Sequence, residues 1–222
     1  MRKIIISVIM LMLAFATLCT STYAWFSIKK SVEINNLEID IANDKSGLLI
    51  YENDTWKNKI DGTSLGTLLP VTTYQGASWH VGSYSGDYLI YEDITDLTDY
   101  VIIQEYQIKT ANDESLDLYL DSLVVDSDDE IFNALRIGVL YDNHFYVFNK
   151  DLSQVTYPST DTSHNLRNVT TSTTETKLGE VSDTESDVSI YIWFEGNDDS
   201  CSFENFSAKT SSLKVSIKFR GE

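Results

Sequence analysis

Cations are scarce in this 222-residue chain, 16 Lys and Arg against 34 Asp and Glu, and the formal net charge is −18. Nucleic acid and anionic lipid headgroups are bound through Lys and Arg that neutralise phosphate, so neither is a partner for the body of the chain. Cysteine is scarcer still, with Cys19 and Cys201 alone. Cys19 lies in a segment expected to be removed, so no internal disulfide is expected and Cys201 reads as an inert lone thiol. The three histidines, His80, His144 and His164, fall in expected turns or loops, and none has the spacing of a zinc site such as HExxH. No GxSxG elbow, glycine-rich phosphate cradle or reactive-cysteine motif accompanies them. The expectation is a protein that is not an enzyme, and any catalysis would have to depend on those three imidazoles.

What is present begins with the first 27 residues. Arg2 and Lys3 precede an apolar run from Ile4 to Ala16, broken only by Ser7, and small and hydroxyl residues follow through Thr22-Tyr23-Ala24. A charged start, an apolar middle and a small-residue exit is the order of a secretory signal peptide. As a helix this run rises about 20 Å, short of the roughly 30 Å hydrocarbon slab, so export and cleavage are expected rather than spanning. Signal peptidase accepts small side chains one and three residues before the cut; Ala24 and Thr22 meet that need, and Trp25 then opens the mature chain. The alternative is an uncleaved anchor from Ile4 to Phe26. In both cases residues 27 to 222 lie outside the cytoplasm, and membrane contact is confined to the N-terminal segment. Losing Arg2 and Lys3 makes the body more acidic still, which keeps an exported protein soluble. It also restrains self-association until salt, protons or divalent cations screen the repulsion.

Beyond the leader, two-residue alternation replaces helical periodicity. Phe26, Ile28, Val32 and Ile34 share one parity, and after Asn35-Asn36 the apolar positions move to Leu37, Ile39 and Ile41. A one-residue slip exchanges the faces of a strand, so a bulge or tight turn is expected at the Asn pair, separating an N-terminal strand (25–36) from the domain that follows (37–222). Leu48 to Tyr51 reads as an interior strand. Residues 62 to 87 are rich in Gly, Ser and Thr and read as a long excursion with short strands at most. Tyr100, Ile102, Tyr106 and Ile108 line one strand face, and Leu116, Leu118, Leu120 and Val124 another. Leu135 to Tyr141 and Phe145 to Phe148 flank Asp142-Asn143-His144 as a hairpin. Residues 156 to 187, dense in Ser and Thr, read as a surface loop or poorly ordered insert. Val188 to Phe194 and Leu213 to Phe219 close the chain. The expected fold is all-β, an antiparallel β-sandwich of jelly-roll type, preceded by an N-terminal signal or anchor helix.

Two constellations stand out. Asp126-Ser127-Asp128-Asp129-Glu130 gathers four carboxylates in five residues. An EF-hand needs Gly at its sixth position, where Ile131 stands, so Asp126, Asp128, Asp129 and Glu130 are weak calcium candidates and a solvated turn is the expectation. The second is Ile192-Trp193-Phe194-Glu195-Gly196-Asn197-Asp198-Asp199-Ser200-Cys201. Gly196 ends a strong strand there and the Asn-Asp-Asp run can bond its own backbone, which makes Glu195, Gly196, Asp198 and Cys201 a structural turn motif. No cofactor is expected.

The Thr-Tyr-Ala-Trp-Phe-Ser exit of the leader, the Val-Glu-Ile and Leu-Glu-Ile-Asp-Ile strands behind it, and the late Ile-Trp-Phe-Glu-Gly-Asn-Asp-x-x-Cys segment together resemble a family. It is that of Firmicute exported proteins with SipW-dependent-type signal peptides, including the TasA and camelysin biofilm-matrix proteins. The likeness covers residues 1 to 42 and 188 to 201. It implies a Gram-positive cell surface or extracellular location, a specialised signal peptidase, a jelly-roll subunit, and fibres in which an N-terminal segment completes the next subunit's sheet. The metallopeptidase activity ascribed to camelysin-like proteins does not carry over, since no metal site is recognisable.

On this reading the chain is a secreted, non-enzymatic structural subunit of an extracellular matrix or cell-surface fibre, partnered by copies of itself or related subunits. Phe26, Ile28, Val32 and Ile34 would form the donor strand; burying four such side chains at about 1.5 to 3 kcal/mol each gives a gross gain of roughly 6 to 12 kcal/mol before ordering and association costs. The alternatives are that this strand pairs within its own chain, and that the protein is a membrane-tethered monomeric adhesion domain whose aromatic-rich loop around Trp79 and Tyr84 is a ligand surface.

Overall fold

The structure is a computed structural model. It describes residues 32–41, 47–60, 66–74, 76–85, 88–125, 128–157, 170–201 and 213–222, with Met10 and Asn205 in addition. The first strands are β1 (Val32–Ile41), β2 (Leu48–Glu52), β3 (Thr55–Lys57), β4 (Lys59–Ile60), β5 (Gly66–Leu68) and β6 (Pro70–Thr73). Next come β7 (Trp79–Ser85), β8 (Tyr88–Ile94), β9 (Ile102–Thr110) and β10 (Leu116–Val125). A 3-10 turn (Glu130–Ala134) precedes β11 (Leu135–Tyr141), β12 (His144–Asn149), β13 (Gln154–Thr156) and β14 (Thr170–Ser172). The last are β15 (Lys177–Val181), β16 (Ser186–Glu195) and β17 (Leu213–Gly221). The all-β class read from the alternation is therefore correct.

Two sheets share one core. The smaller runs β15-β10-β17-β1-β4, with β5 also on β1. In the larger, β14-β13-β12-β11-β16 continues into β9, β2 and β3, and the end of β16 leads into a β6-β7-β8 meander. Pairing is antiparallel except for β1 with β17 and β16 with β6. Leu37, Ile39, Val215, Ile217 and Phe219 of the small sheet cluster with Ile108, Ile137, Val139, Ile190, Ile192 and Phe194 of the large one, as period-two alternation requires of two inward faces.

The large sheet is covered on its other face too. Trp193 and Tyr191, the residues of β16 that point away from the main core, join Trp79, Phe145, Val147, Val155 and Tyr157 in a second cluster beneath the meander. Trp79 meets Trp193 edge-on at 5.1 Å and 89°. Gly138 makes room for this layer: a Cβ there would lie 2.5 Å from Phe145 Cζ and 3.1 Å from Trp193 Cζ3.

Several expectations change. Residues 62–87 contain more than short strands, because β7 is a seven-residue strand paired along its length with β8. Inside the expected 156–187 loop, β15 is the edge of the small sheet and buries Leu178 and Val181. Its register shift against Leu118/Tyr119 lets apolar residues of unlike parity face the same way, which hid the strand from a period-two reading. Val124, expected inside, is 57 % exposed while Leu123 is buried, because β10 changes register between Leu120 and Ser122. Trp79 is buried rather than displayed in a loop. The Asp142-Asn143 hairpin is as expected, with φ of 48° and 59° at its two turn residues, the left-handed pair of a type I′ turn.

Candidate functional site

The reversal of apolar parity at Asn35-Asn36 is a register shift between Ile34 and Asn36 inside one continuous strand. The expected boundary between 36 and 37 therefore does not separate two strands. Downstream of the shift, Asn36 to Ile41 pair residue by residue with Lys214 to Phe219 of β17, and Leu37, Ile39 and Ile41 are buried. Glu38 clips this half on both flanks: its carboxylate oxygens lie 2.6 Å from Lys59 Nζ of β4 and 2.6 Å from Lys214 Nζ of β17. The hydrogen bonds from Lys214 and then Lys59 hold its pKa below the usual carboxylate range.

Upstream of the shift the grip is lighter. Among the described residues, Val32, Glu33 and Ile34 pair with the three-residue β5, and only Ile34 has a register partner on β17, Leu213. At the junction Asn36 Oδ1 is buried with no hydrogen-bond partner among the described residues. A buried unpaired polar atom costs about 1–3 kcal/mol. Within the single chain, Val32 and Ile34 of the expected donor strand thus pair at home. Phe26 and Ile28, and the cleavage-site residues Thr22, Ala24 and Trp25, lie outside the described residues.

The Glu-Gly-Asn-Asp motif lies where β16 leaves the sheet, and each residue ties down a different element. Glu195, 3 % exposed, accepts hydrogen bonds from Tyr157 Oη (2.7 Å), Trp193 Nε1 (3.5 Å) and the Asn197 amide (3.1 Å). The Gly196 amide donates to the Val71 carbonyl. Asn197 Nδ2 donates to Thr72 Oγ1, and its Oδ1 accepts from Tyr91 Oη, bridging β6 and β8. Asp198 accepts from the buried Arg136 at 2.5 Å, and Arg136 also donates to the carbonyls of Asn133 and Leu135. Burial opposes the charge of Arg136, yet Tyr157, Glu195 and Asp198 outweigh it and raise its pKa. Burial first, and the neighbouring Glu195 second, push the Tyr157 phenol well up. Cys201 ends the turn as a buried thiol outside any disulfide among the described residues. This motif is thus the knot that fastens the second lobe to the sandwich.

Asp128, Asp129 and Glu130 are exposed at the start of the 3-10 turn, and Asp126 lies outside the described residues. Among the described residues no group of three or more His, Cys, Asp or Glu is placed to hold a metal, and no helix is long and apolar enough to cross a membrane. His144 is exposed at the β12 hairpin end, with Nδ1 2.7 Å from the Asp142 carbonyl, and His164 is not described. His80 is buried between Ser78 and Asp93, a grouping the sequence did not suggest. A groove of about 430 Å³ lined by Tyr51, Glu105, Tyr106, Gln107, Asp187 and Ser189 was also not foreseen, because strands distant in sequence supply its walls. Comparison with protein-family models, curated proteins and solved structures returns no match to any of the three.

Proposed function

We propose that this chain is an exported structural subunit of an extracellular matrix or surface fibre, a jelly-roll sandwich that assembles by exchanging the strand segment upstream of Asn35. Residues 1–24 serve as the helical signal segment, and removal by signal peptidase frees the chain from Trp25 onward. The observation that carries this reading is the asymmetry of β1: six consecutive residues, Asn36 to Ile41, are paired with β17, whereas Val32, Glu33 and Ile34 rest mainly on a three-residue strand. The register shift and the Asn36 amide oxygen, unpaired among the described residues, mark the joint between the halves. A strand so held can leave its own sheet and add to the same place in a second copy, recovering ladder hydrogen bonds there. The partner is another copy or a related subunit, and no cofactor is needed.

Deleting residues 25–34 tests this. Filaments seen by electron microscopy with the chain beginning at Trp25 are expected to vanish while the circular dichroism spectrum of the β fold persists. Filaments that survive the deletion contradict the proposal. The second reading, a membrane-tethered adhesion domain, draws on the groove beside Tyr51 and on the home pairing of Val32–Ile34. N-terminal sequencing of the cell-surface form separates the two: Trp25 as first residue supports the free subunit, and Met1 supports the tether.

A further inference from the structure

Ser78, His80 and Asp93 stand in the order of an acyl-transfer triad. Ser78 ends the turn between β6 and β7, His80 follows two residues later, and Asp93 faces His80 across the β7–β8 pair. A strand's two-residue period sets Ser78 and His80 on one face while Trp79 points the other way, into the aromatic cluster. Ser78 Oγ is 2.8 Å from His80 Nε2, and His80 Nδ1 is 2.8 Å from Asp93 Oδ1. With Nδ1–H donating to the carboxylate, Nε2 keeps its lone pair to accept from the serine hydroxyl, the polarity of a nucleophile, a base and an orienting group. The ring is fixed independently of the serine: it is 8 % exposed and meets Tyr74 edge-on, centroids 4.9 Å apart. Ser78 is half-buried and so remains within reach of solvent. Its backbone is held too, since its carbonyl accepts from Thr73 Oγ1 at 2.6 Å and from the Tyr74 amide at 3.1 Å.

We propose that Ser78 is a nucleophilic site that takes acyl groups from activated esters, with His80 as general base and Asp93 as the positioning residue. Ser78 Oγ bonds to the acyl carbon as its proton passes to His80 Nε2; the bond to the leaving oxygen breaks, and that oxygen receives the proton. Water then attacks the acyl-serine and gives a proton to Nε2. The carboxylic acid departs, and the imidazole returns the proton to Ser78 Oγ. The amides of Tyr74, Gly76 and Ala77 are committed within the turn, to Ser78 O, Thr73 Oγ1 and Tyr74 O. They therefore do not hold an oxyanion, an omission worth about 10²–10³ in rate for each such donor. Substrates are accordingly esters with good leaving groups, and the acyl-serine accumulates because its hydrolysis is slow.

The test uses the full chain and a fluorophosphonate probe. One adduct on Ser78 is expected by peptide mass spectrometry. His80→Gln should slow its formation by about a hundredfold or more, and Asp93→Asn by about tenfold, less than for a buried aspartate because this carboxylate is 83 % exposed. p-Nitrophenyl acetate should give a burst of about one equivalent that Ser78→Ala abolishes and Ser182→Ala, in the β15–β16 turn, retains. Asp93→Glu, which keeps the carboxylate, should restore the rate that Asp93→Asn loses. If His80→Gln does not fold, these two exposed Asp93 variants decide. Absence of a Ser78 adduct, or labelling equal in Asp93→Asn and the unaltered chain, overturns the proposal.

Discussion

At Glu195 the fields and contacts of three elements converge, and its carboxylate is the acceptor for Tyr157, Trp193 and the turn amide of Asn197. Glu195→Ala leaves these donors buried without an acceptor, so a loss of about 2–4 kcal/mol is expected in urea denaturation. The phenols report on the same region at alkaline pH. Burial raises the pKa of Tyr106 to about 12 and that of Tyr157 well above the ordinary value. Since these folded-state values exceed the unfolded value of about 10, the stabilisation is complete below about pH 10 and is lost as pH rises through the folded values. Tyrosinate absorbance should therefore rise in two stages, exposed phenols first and these two at higher pH. A single stage near pH 10 with the fold intact contradicts the burial described. From the sequence, the turn role of Gly196 and Asp198 was legible because their backbone chemistry is local. The partners Arg136 and Tyr157 were not, since each is brought in by a different strand.

At the scale of elements, β1 is the strand on which the functional reading turns. Its two halves should differ in amide hydrogen exchange: Val32–Ile34 are expected to exchange at least tenfold faster than Leu37–Ile41, and equal protection would contradict a separable segment. Acid should narrow the difference, because Glu38 clips the better-held half. Glu38 has its pKa depressed by Lys214 and Lys59, so its contribution is present above the unfolded carboxylate value of about 4.3 and is lost as pH falls through the lower folded value. The parity reversal at Asn35-Asn36 was plain in the sequence because a bulge leaves a one-residue phase slip. The bulges at Leu178 and Asp121 were harder to see: in β15 the apolar residues are only Leu178 and Val181, and in β10 Leu123 and Val124 are both apolar, so no phase can be assigned. The β7–β8 hairpin was missed because Trp79 and Val81 bury a face against a second layer that no local pattern announces.

For the whole molecule, net charge sets how readily copies meet. At neutral pH the charge of −18 keeps copies apart; toward the isoelectric point of about 4.3 the repulsion fades. Light scattering should show faster association at pH 4.5 than at pH 7, and an unchanged rate would remove electrostatic restraint from the account. Overpacking gives a global check on the second lobe: Gly138→Ala, with its Cβ 2.5 Å from Phe145 Cζ, should lower stability by about 1–3 kcal/mol. The all-β class was legible because alternation persists along β1, β11, β16 and β17. The third layer was not, because it arises from Trp193 and Tyr191 on the polar-parity side of β16.

Strand exchange is tested most directly by a cysteine pair at register partners. Ile34 and Leu213 lie opposite each other on β1 and β17, and Ile34→Cys with Leu213→Cys, in a Cys201→Ser background, reports whose β1 lies beside whose β17. After assembly and oxidation, non-reducing electrophoresis should show a ladder of disulfide-linked multimers. Bonds confined to single chains in assembled material would contradict the account.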